Sequence, residues 1–313
     1  MIHLLEIRNS ITRRVYRLLN GVVRVYKSKK DSILYVSLSH GNSLYFQTLA
    51  IAAAKKRFKR ILVHHHTFFP ISNPKQIQNR ICHTAMKNSV EHIFLSESMR
   101  QKYLEVWRPT SKTWVVTNHA IAGLRTKIEK AHGNKNGKHL SFTGRMSAEK
   151  GFWECVAVIR ALFKADPEMK ATIMGPATET AIKEEIKNLS RDFPNNFRFY
   201  DKYSPNLLSE VLDITTFYLF PSKYLNEASP LVVLEAQSLG NICMTSTVGS
   251  LPDDVIPPGT CVEINQWPDK VIQRIIDLKE NGGEMVKASR EIRHQSETRA
   301  RNSVRQLEEV FKI

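Results

Sequence analysis

The chain has 313 residues, of which 42% are hydrophobic and 24% charged, a composition typical of a globular protein with room for two domains and not of a disordered chain. Its net charge of +16 is unevenly placed: residues 1–138 hold 25 Lys and Arg against 6 Asp and Glu, whereas the remainder holds 21 against 24. This asymmetry predicts two domains with different partners. The basic domain is expected to bind an anionic partner such as a membrane surface, a phospholipid-linked substrate or nucleic acid.

Cysteine usage and hydropathy narrow the class of protein. The four cysteines are scattered and form no C-x-x-C pair, which argues against a zinc site and fits a reducing compartment. No apolar run is long enough to span a bilayer, and the first residues lack the uninterrupted apolar core of a signal peptide. We therefore expect a cytoplasmic protein, and the basic half suggests peripheral attachment to the inner face of the plasma membrane.

Residues 1–30 combine apolar residues near helical spacing with eight Lys and Arg, which predicts a basic amphipathic helix. Two interpretations stay open. The helix lies on a membrane surface, or it packs on its own domain with a solvated basic face, since a surface helix of a globular domain shows the same amphipathic pattern.

Strands and helices then alternate through the first half. Strands are expected at 33–38, 61–65, 93–96 and 114–117, and helices at 44–58, 76–88 and 98–107. Such short strand–helix–strand repeats imply parallel pairing and an α/β fold. Residues 118–137 lack apolar periodicity and contain three glycines, so we interpret them as a linker.

A second alternating series follows the linker. Strands are expected at 140–143, 170–174, 197–200, 217–221 and 242–245, and helices at 152–165, 179–191, 206–213, 231–239 and 284–311. The sequence therefore predicts an N-terminal domain over 1–137 and a C-terminal domain over 138–283. A final helix, 284–313, is expected to pack back toward the N-terminal domain.

The segment from Gly144 to Gly151 joins a predicted strand to a predicted helix, where open α/β sheets bind ligands. Its two glycines let the backbone approach a ligand, Arg145 suits a bidentate phosphate contact, and Lys150 supplies a compact positive charge. A plain turn with solvated cations would have the same residues, so this segment alone is a weak indication of a site.

Two carboxylates, Glu227 and Glu235, stand eight residues apart on either side of Ser229-Pro230. Proline suits the first turn of a helix, so the chain from Leu231 onward is expected to be helical, with Glu235 in its second turn. The free amides at the helix start would bind an anion. Glu235 lies in a segment otherwise fit for burial and needs a partner, which a sugar diol would supply; the plainer interpretation is two solvated acids.

Together these motifs resemble a known family. The chain is similar to the retaining nucleotide-sugar glycosyltransferases called group 1, or family four, in Gly144-Arg145…Glu149-Lys150-Gly151, in Phe220-Pro221-Ser222 and in Glu227…Glu235-Ala236. The resemblance covers residues 90–265 well and the rest loosely. It implies the GT-B fold, in which two Rossmann-like domains face each other across a cleft, and a reaction that needs neither a bound metal nor another cofactor.

The resemblance assigns phosphate and sugar contacts to matching positions. Arg145 and Lys150, beside Gly144, would hold the donor diphosphate and neutralise the charge that builds on the leaving group. Glu227 would contact the transferred sugar near the reacting centre. The backbone around Ser229-Pro230-Leu231 would assist at sugar and phosphate.

The resemblance also assigns the nucleoside contacts. Glu235 would bind the ribose hydroxyls, and the base would lie near Asp201 and Tyr203. Relatives usually have a glycine in place of Asp201, so the resemblance leaves the identity of the base open.

In the first half, three adjacent histidines end the predicted strand at 61–65, and His66 best matches a family histidine that faces the sugar. The alternatives are a metal site or solvated side chains. Because adjacent residues on a strand point to opposite faces, the three rings cannot easily bind one ion, which favours the sugar-facing role for His66.

The function that the resemblance implies is transfer of a hexosyl group from a nucleoside diphosphate sugar to an acceptor hydroxyl with retention of configuration, in bacterial-type surface polysaccharide, lipopolysaccharide or glycolipid synthesis. The basic half suits a saccharide or lipid-linked acceptor at an anionic membrane surface. Nucleic acid is not expected, since only the charge suggests it. Relatives carry further βα units before the strand at 33–38, so a shortened N-terminal domain is expected, and a catalytically weak or inactive protein that only binds sugar nucleotides is the alternative.

Overall fold

The computed structural model describes residues 32–38, 40–120 and 135–312. These residues form two compact units: unit 1 holds the described residues up to 117 together with 306–312, and unit 2 holds those from 118 to 305. The predicted helix at 1–30 and most of the predicted linker lie outside the described residues. The predicted domain bounds after 137 and 283 stay predictions; by its contacts the chain divides after 117 and after 305.

Unit 1 is built on a sheet of four parallel strands in the order β1-β2-β3-β4. The strands are β1 Ile33–Leu38, β2 Arg60–His65, β3 Glu91–Phe94 and β4 Thr113–Val115, and the helices are α1 Ser43–Ala54, α2 Phe69–Ser72, α3 Ile77–Met86 and α4 Glu97–Trp107. Each strand pairs with the one before it in the chain. The apolar residues of β2 and β3 are buried, as expected of a parallel sheet covered by helices.

The end of the last helix completes the core of unit 1. Val310 packs with Leu62 and Ile93 in one buried cluster. Arg60 donates from Nη1 to the carbonyl of Val310 at 2.7 Å and from Nε to Glu91 at 2.6 Å. One guanidinium thus joins β2, β3 and the end of the chain, because its donors fan out in a fixed fork.

Unit 2 is built on six parallel strands in the order β10-β9-β8-β5-β6-β7. The strands are β5 His139–Thr143, β6 Lys170–Met174, β7 Phe197–Tyr200, β8 Phe217–Phe220, β9 Ile242–Ser246 and β10 Thr260–Val262. The chain starts at the centre with β5, winds outward to β7, returns to the other side of β5 with β8 and winds outward to β10. The order therefore reverses between β5 and β8, which is where doubly wound sheets bind ligands.

The helices of unit 2 pack their apolar residues into one continuous core with the strands. They are α5 Phe152–Ala165, α6 Thr180–Asp192, α7 Pro205–Ile214, α8 Leu231–Ser238, α9 Leu251–Asp254, α10 Trp267–Glu280 and α11 Gly282–Phe311. The last of these, α11, ends in unit 1. Across the parts of the chain that the structure describes, no helix is both long and apolar enough to cross a bilayer.

Within the described residues the predicted strands and helices are present, and the differences lie mainly at their ends. The helix expected at 44–58 ends at Ala54. The strand expected at 93–96 ends at Phe94 because Ser96 caps α4, its Oγ accepting from the Met99 amide at 3.2 Å. The sequence patterns missed the short helices α2 and α9 as well as α10 and β10.

Lys135 anchors the chain just before β5. Although it lies in the predicted linker, it is buried, and its ammonium donates at 2.6–2.9 Å to Asn241 Oδ1 and to the carbonyls of Leu212, Asp213 and Thr215. These carbonyls lie at the end of α7, where helix carbonyls lack intrahelical partners and favour a cation. Burial lowers the pKa of Lys135 to about 7, an effect that Asp213 opposes.

A buried histidine cluster lies in unit 1 on β2, β3 and the helices beside them. His65 Nε2 is 2.9 Å from His92 Nδ1, and His83 Nδ1 is 2.9 Å from the Tyr103 hydroxyl. The His65 ring stacks on Phe94 with centroids 4.7 Å apart. Burial lowers the pKa of His83 to about 3 and that of His92 to about 4, so these rings are neutral in the folded protein at neutral pH.

These buried rings should make unit 1 sensitive to acid. A histidine whose pKa falls on folding contributes stability that is fully present above its unfolded pKa of about 6.5 and is lost as the pH falls toward the folded value. Wild type should therefore lose unfolding free energy between pH 7 and pH 5. In His83→Phe we expect this loss to be smaller by about 2 kcal/mol. Pulse-labelled hydrogen exchange in rising urea, followed on unit 1 peptides, measures this difference.

The exposed His294 of unit 2 offers a matched control. His294→Phe should leave the pH dependence of unit 1 as it is in wild type. If His83→Phe retained the full wild-type loss between the two pH values, the neutral buried state of this ring would be disproved.

Candidate functional site

The candidate site lies at the carboxyl edge of the unit 2 sheet, where β5 and β8 are neighbours. The loop 144–151 follows β5, and the segment 221–230 follows β8. The two are joined directly, because the Lys223 amide donates to the Glu149 carbonyl at 2.8 Å. Strand order thus brings together two motifs that are far apart in the sequence.

Gly151 makes this close approach possible. Its φ is +78°, in the left-handed region, and a Cβ at this position would lie 2.0 Å from the carbonyl oxygen of Pro221. Just before it, the Ser147 Oγ accepts from the Lys150 amide at 3.3 Å and starts a single 3₁₀ turn. Glycine and turn together aim the Lys150 side chain across the end of β8.

Lys150 and Glu227 form an ion pair at the centre of the site. Lys150 Nζ lies 2.6 Å from Glu227 Oε2, and the Ser222 Oγ donates to the same oxygen at 2.9 Å. The ammonium also lies over the Tyr224 ring, 5.0 Å from its centroid, and 5.7 Å from that of Phe220. A cation held by a carboxylate and two aromatic faces is well ordered before any ligand binds.

Gly249 supports the backbone of Glu227 from the next strand-end loop. Its φ is +60°, and a Cβ here would lie 1.7 Å from the Glu227 carbonyl oxygen. The loop after β9 therefore rests directly on the residue that pairs with Lys150, and a larger side chain at 249 would push Glu227 away.

Arg145 and Gly144 lie at the same edge of the sheet but face open space. The Arg145 side chain is exposed, and its Nη2 lies 3.3 Å from Glu149, a surface pair of the kind that contributes little. A Cβ on Gly144 would meet no atom within 4 Å. Arg145 is thus not part of the Lys150–Glu227 contact, and it is free to exchange Glu149 for an anion.

Glu235 lies in α8, where its side chain is largely buried. Burial raises the pKa of its carboxyl to about 6, and among the described residues no side chain donates a hydrogen bond to it. Burial and the negative charge of Glu235 both raise the pKa of Tyr203. A largely buried carboxylate without a donor is ready to accept from hydroxyls of a ligand.

The start of α8 and the loop after β7 complete the predicted nucleotide contacts. Pro230 is the residue before the helix, and Leu231 begins it with an exposed side chain. The Asp201 side chain accepts from the Ala177 amide at 3.3 Å, so it joins the loops after β6 and β7. The acid that replaces the family's usual glycine is therefore engaged with backbone.

A hydrogen-bonded network that the sequence did not predict supports the start of α8. The Asn118 side chain donates to the Ser229 carbonyl at 3.0 Å, and Arg299 of α11 donates to the Asn118 carbonyl at 3.2 Å. Arg299 also pairs with Asp254, which is buried. Burial raises the pKa of Asp254 to about 6, and Arg299 opposes that shift. The network ties the Ser229-Pro230 backbone to the last helix.

His66 lies in unit 1, just past the end of β2. Its ring is 4.1 Å from that of His64, centroid to centroid, and the residue is exposed. His64 itself is bonded through Nδ1 to the Tyr35 hydroxyl at 2.6 Å. Within the described residues, no three His, Cys, Asp or Glu side chains are grouped closely enough to hold a metal ion. The sugar-facing role of His66 stays a prediction.

Comparison with known sequences matches residues 125–301 to the family described as Glycosyl transferases group 1. D-inositol 3-phosphate glycosyltransferase of Corynebacterium glutamicum is 28% identical over 120 residues, which are 37% of this chain and 28% of the relative. The protein of the same name from Corynebacterium diphtheriae is 27% identical over 150 residues, 45% of this chain and 35% of the relative. The match thus spans well under half of the length of either relative.

Solved structures resemble nearly the whole chain. Anabaena Alr3699/HepE in complex with UDP superposes with a TM-score of 0.73 at 16% identity, covering 96% of this chain and 84% of that one. Sucrose-phosphate synthase from Thermosynechococcus elongatus gives a TM-score of 0.66 at 17% identity, covering 97% and 80%. At these identities the likeness shows the fold, which is GT-B. Since the family match also covers more than half of the sequence, the chain belongs to the Glycosyl transferases group 1 family.

Proposed function

We propose that this chain transfers a hexosyl group from a nucleoside diphosphate sugar to an acceptor hydroxyl, with retention of anomeric configuration. The observation that carries the proposal is the Lys150–Glu227 ion pair at the point where the strand order reverses, with Glu235 in the helix that follows. One cation and two carboxylates in this order suit the phosphates and hydroxyls of a nucleotide sugar.

In this proposal Lys150 acts on the leaving group. As the bond from the anomeric carbon to the diphosphate breaks, negative charge builds on the diphosphate and the sugar becomes oxocarbenium-like. The ammonium, already ordered between Glu227 and the Tyr224 ring, would stabilise that charge without reorganisation. Arg145 would turn from Glu149 to the phosphates, since its surface ion pair is weak.

Glu227 would orient sugar hydroxyls and not form a covalent intermediate. Among the described residues, its side-chain partners Lys150 and Ser222 both contact Oε2. Oε1 can therefore accept from a hydroxyl of the transferred sugar. The fixed carboxylate would hold the reacting carbon against the leaving diphosphate, which is a positioning effect.

Glu235 would accept from the ribose hydroxyls, and Asp201 and Tyr203 would border the base. The exposed start of α8, after Ser229-Pro230, would present backbone amides to the diphosphate. The neighbours solved with UDP or UDP-glucose support a nucleotide at such a site in this fold.

For the acceptor we infer a saccharide or lipid-linked molecule used in bacterial-type surface polysaccharide, lipopolysaccharide or glycolipid synthesis. The cytoplasmic side of the plasma membrane is the proposed location. The cation excess of residues 1–138 supports an acidic acceptor of this kind. His66 is proposed to face the transferred sugar from unit 1.

Donor hydrolysis tests the reaction because it needs no acceptor. Wild-type protein given UDP-, GDP- and ADP-glucose should slowly hydrolyse one of them, and proton NMR should show the α-anomer of glucose first if configuration is retained. Lys150→Met should lower the rate by about a hundred-fold or more, since the leaving diphosphate loses its cation. Chromatography of the released nucleoside diphosphate gives the rate.

Lys223→Met is the matched control, because Lys223 lies in the neighbouring loop but pairs with Glu154 at 2.8 Å. It should hydrolyse the donor at nearly the wild-type rate. Equal rates for wild type and Lys150→Met would refute the role of Lys150. Tight donor binding without hydrolysis in wild type would favour the alternative of a sugar-nucleotide-binding protein.

Glu235 should make donor affinity depend on pH. The raised pKa of about 6 means that the carboxyl gains a proton as the pH falls from 7 to 5, and a protonated carboxyl accepts poorly from ribose. UDP-glucose, whose diphosphate has no ionisation in this range, should bind wild type about tenfold more weakly at pH 5 than at pH 7. Isothermal titration calorimetry measures the affinity for UDP-glucose at each pH.

Glu235→Gln should bind weakly at both pH values and show little change between them. Glu184→Gln, an exposed acid on α6, should keep the wild-type pH dependence. A tenfold change that survives in Glu235→Gln would assign the titration to another group.

Gly249→Ala should slow donor hydrolysis while the chain stays folded. The added Cβ would lie 1.7 Å from the Glu227 carbonyl, so Glu227 must move away from Lys150, and we expect a loss of about tenfold or more. Gly283→Ala on α11, where a Cβ meets nothing within 4 Å, is the matched control and should keep the wild-type rate. Hydrolysis rate and melting temperature are measured together; a normal rate in Gly249→Ala would show that the close packing does not position Glu227.

A further inference from the structure

Unit 1 carries exposed apolar side chains on two neighbouring helices. On α1, Phe46 is 38% and Leu49 66% exposed; on α3, Ile77 is 69% and Ile81 53% exposed. We call these four residues the apolar strip. The two helices touch, because the Thr48 hydroxyl of α1 lies 3.8 Å from the sulfur of Met86 in α3. The strip therefore lies on two helices that pack against each other.

The sequence of α1 makes this exposure unusual. The helix reads SLYFQTLAIAAA and has no charged residue on any side. Its inner face buries Leu44, Ile51 and Ala54, yet its outer face is also apolar. A surface helix of a globular domain normally turns charged residues outward, and a helix that is apolar all round is normally covered on all sides. The outer face of α1 thus calls for a partner.

The segment of chain that carries this apolar strip is rich in cations and has no acid. Residues 32–90 contain eight Lys and Arg and no Asp or Glu. Lys55, Lys56 and Lys59 follow α1 directly and are exposed, and Arg80 is exposed between the two isoleucines of α3. The surface therefore combines apolar side chains with a positive rim, and its partner should offer apolar groups together with negative charge.

We propose that this face of unit 1 docks onto an anionic lipid bilayer, with α1 and α3 lying at the membrane surface. The apolar strip would enter the boundary between headgroups and acyl chains, while the lysines reach outward to the lipid phosphates. This docking rests on the membrane location proposed above and assigns it to one surface; vesicle binding tests it, whereas donor hydrolysis tests the reaction proposed for unit 2.

Other occupants fit the observations less well. Nucleic acid would satisfy the cations but leaves no use for Leu49, Ile77 and Ile81. A second copy of the chain would bring the same positive rim against itself. Residues 1–30 are themselves basic, with eight Lys and Arg against Glu6 alone, so they do not complement this surface. A bilayer with anionic headgroups supplies both the charge and the apolar interior.

Vesicle flotation with the full chain tests the proposal. Wild type should float with vesicles of equimolar phosphatidylglycerol and phosphatidylcholine and not with phosphatidylcholine alone, and high salt should release it. Leu49→Gln combined with Ile81→Gln should lower the bound fraction at least tenfold. Lys55→Gln combined with Lys56→Gln should lower the partition coefficient about five-fold for each cation removed.

Matched controls come from unit 2. Ile214→Gln combined with Val286→Gln removes two comparably exposed apolar side chains, and Lys183→Gln combined with Lys187→Gln removes two exposed cations of α6. Both double variants should float as wild type does. Melting temperatures, measured for every variant, distinguish loss of the membrane-binding surface from unfolding of the protein.

Two further outcomes would overturn the proposal. If Arg13→Gln with Arg14→Gln and Arg17→Gln abolished flotation while Leu49→Gln with Ile81→Gln left it unchanged, the segment 1–30 would be the membrane contact. If the protein bound a DNA duplex at equal phosphate concentration but no vesicle, the cations would serve nucleic acid.

Fluorescence quenching tests which part of the bound protein enters the bilayer, and it does not depend on a variant that fails to bind. Leu49→Trp in the presence of vesicles with brominated acyl chains should lose a larger share of its emission than wild type does, because the new indole enters the acyl region. Ile214→Trp should behave as wild type. Equal quenching of the two variants would show that α1 does not enter the bilayer.

Discussion

The parallel pairing of β5 with β8 at the centre of the unit 2 sheet is the constraint on which the candidate site depends. It brings two strand-end loops to one edge, and Gly151 then packs against the carbonyl of Pro221 so closely that any side chain at 151 would collide with it. Only with that approach does Lys150 reach Glu227. Sheet order, a glycine and an ion pair are thus three parts of one arrangement, and a change in any of them moves the other two.

Two buried carboxyls, those of Asp254 and Glu235, lie beside this arrangement, and they differ in whether a side chain already pairs with them. Asp254 is buried but pairs with Arg299, which also binds the Asn118 carbonyl and so ties the last helix to the backbone before α8. Glu235 is also largely buried, yet no described side chain donates to it, and burial raises its pKa. A carboxyl that already has its cation stabilises a structure, whereas one that lacks a donor is available to a ligand.

Unit 1 has a different physical character from unit 2. Its interior holds histidines whose pKa burial lowers, among them His83 and His92, so we expect its stability to vary with pH near the range where free histidine titrates. Its surface collects cations around exposed apolar residues such as Leu49. The charge asymmetry that is visible in the sequence therefore corresponds to two units that differ in net charge.

Local pattern in the sequence was enough to determine the α/β class and most elements; the helix Phe152–Ala165 has the predicted bounds because apolar periodicity is a property of neighbouring residues. The helix Trp267–Glu280 was missed although its buried residues also follow helical spacing. Spacing likewise marked Lys150 and Glu227 as candidates. Only the tertiary structure decided that Lys150, and not Arg145, contacts Glu227, and that α11 reaches behind the site. Those contacts depend on which strand ends and helix turns become neighbours, and such neighbours are set by packing between distant segments.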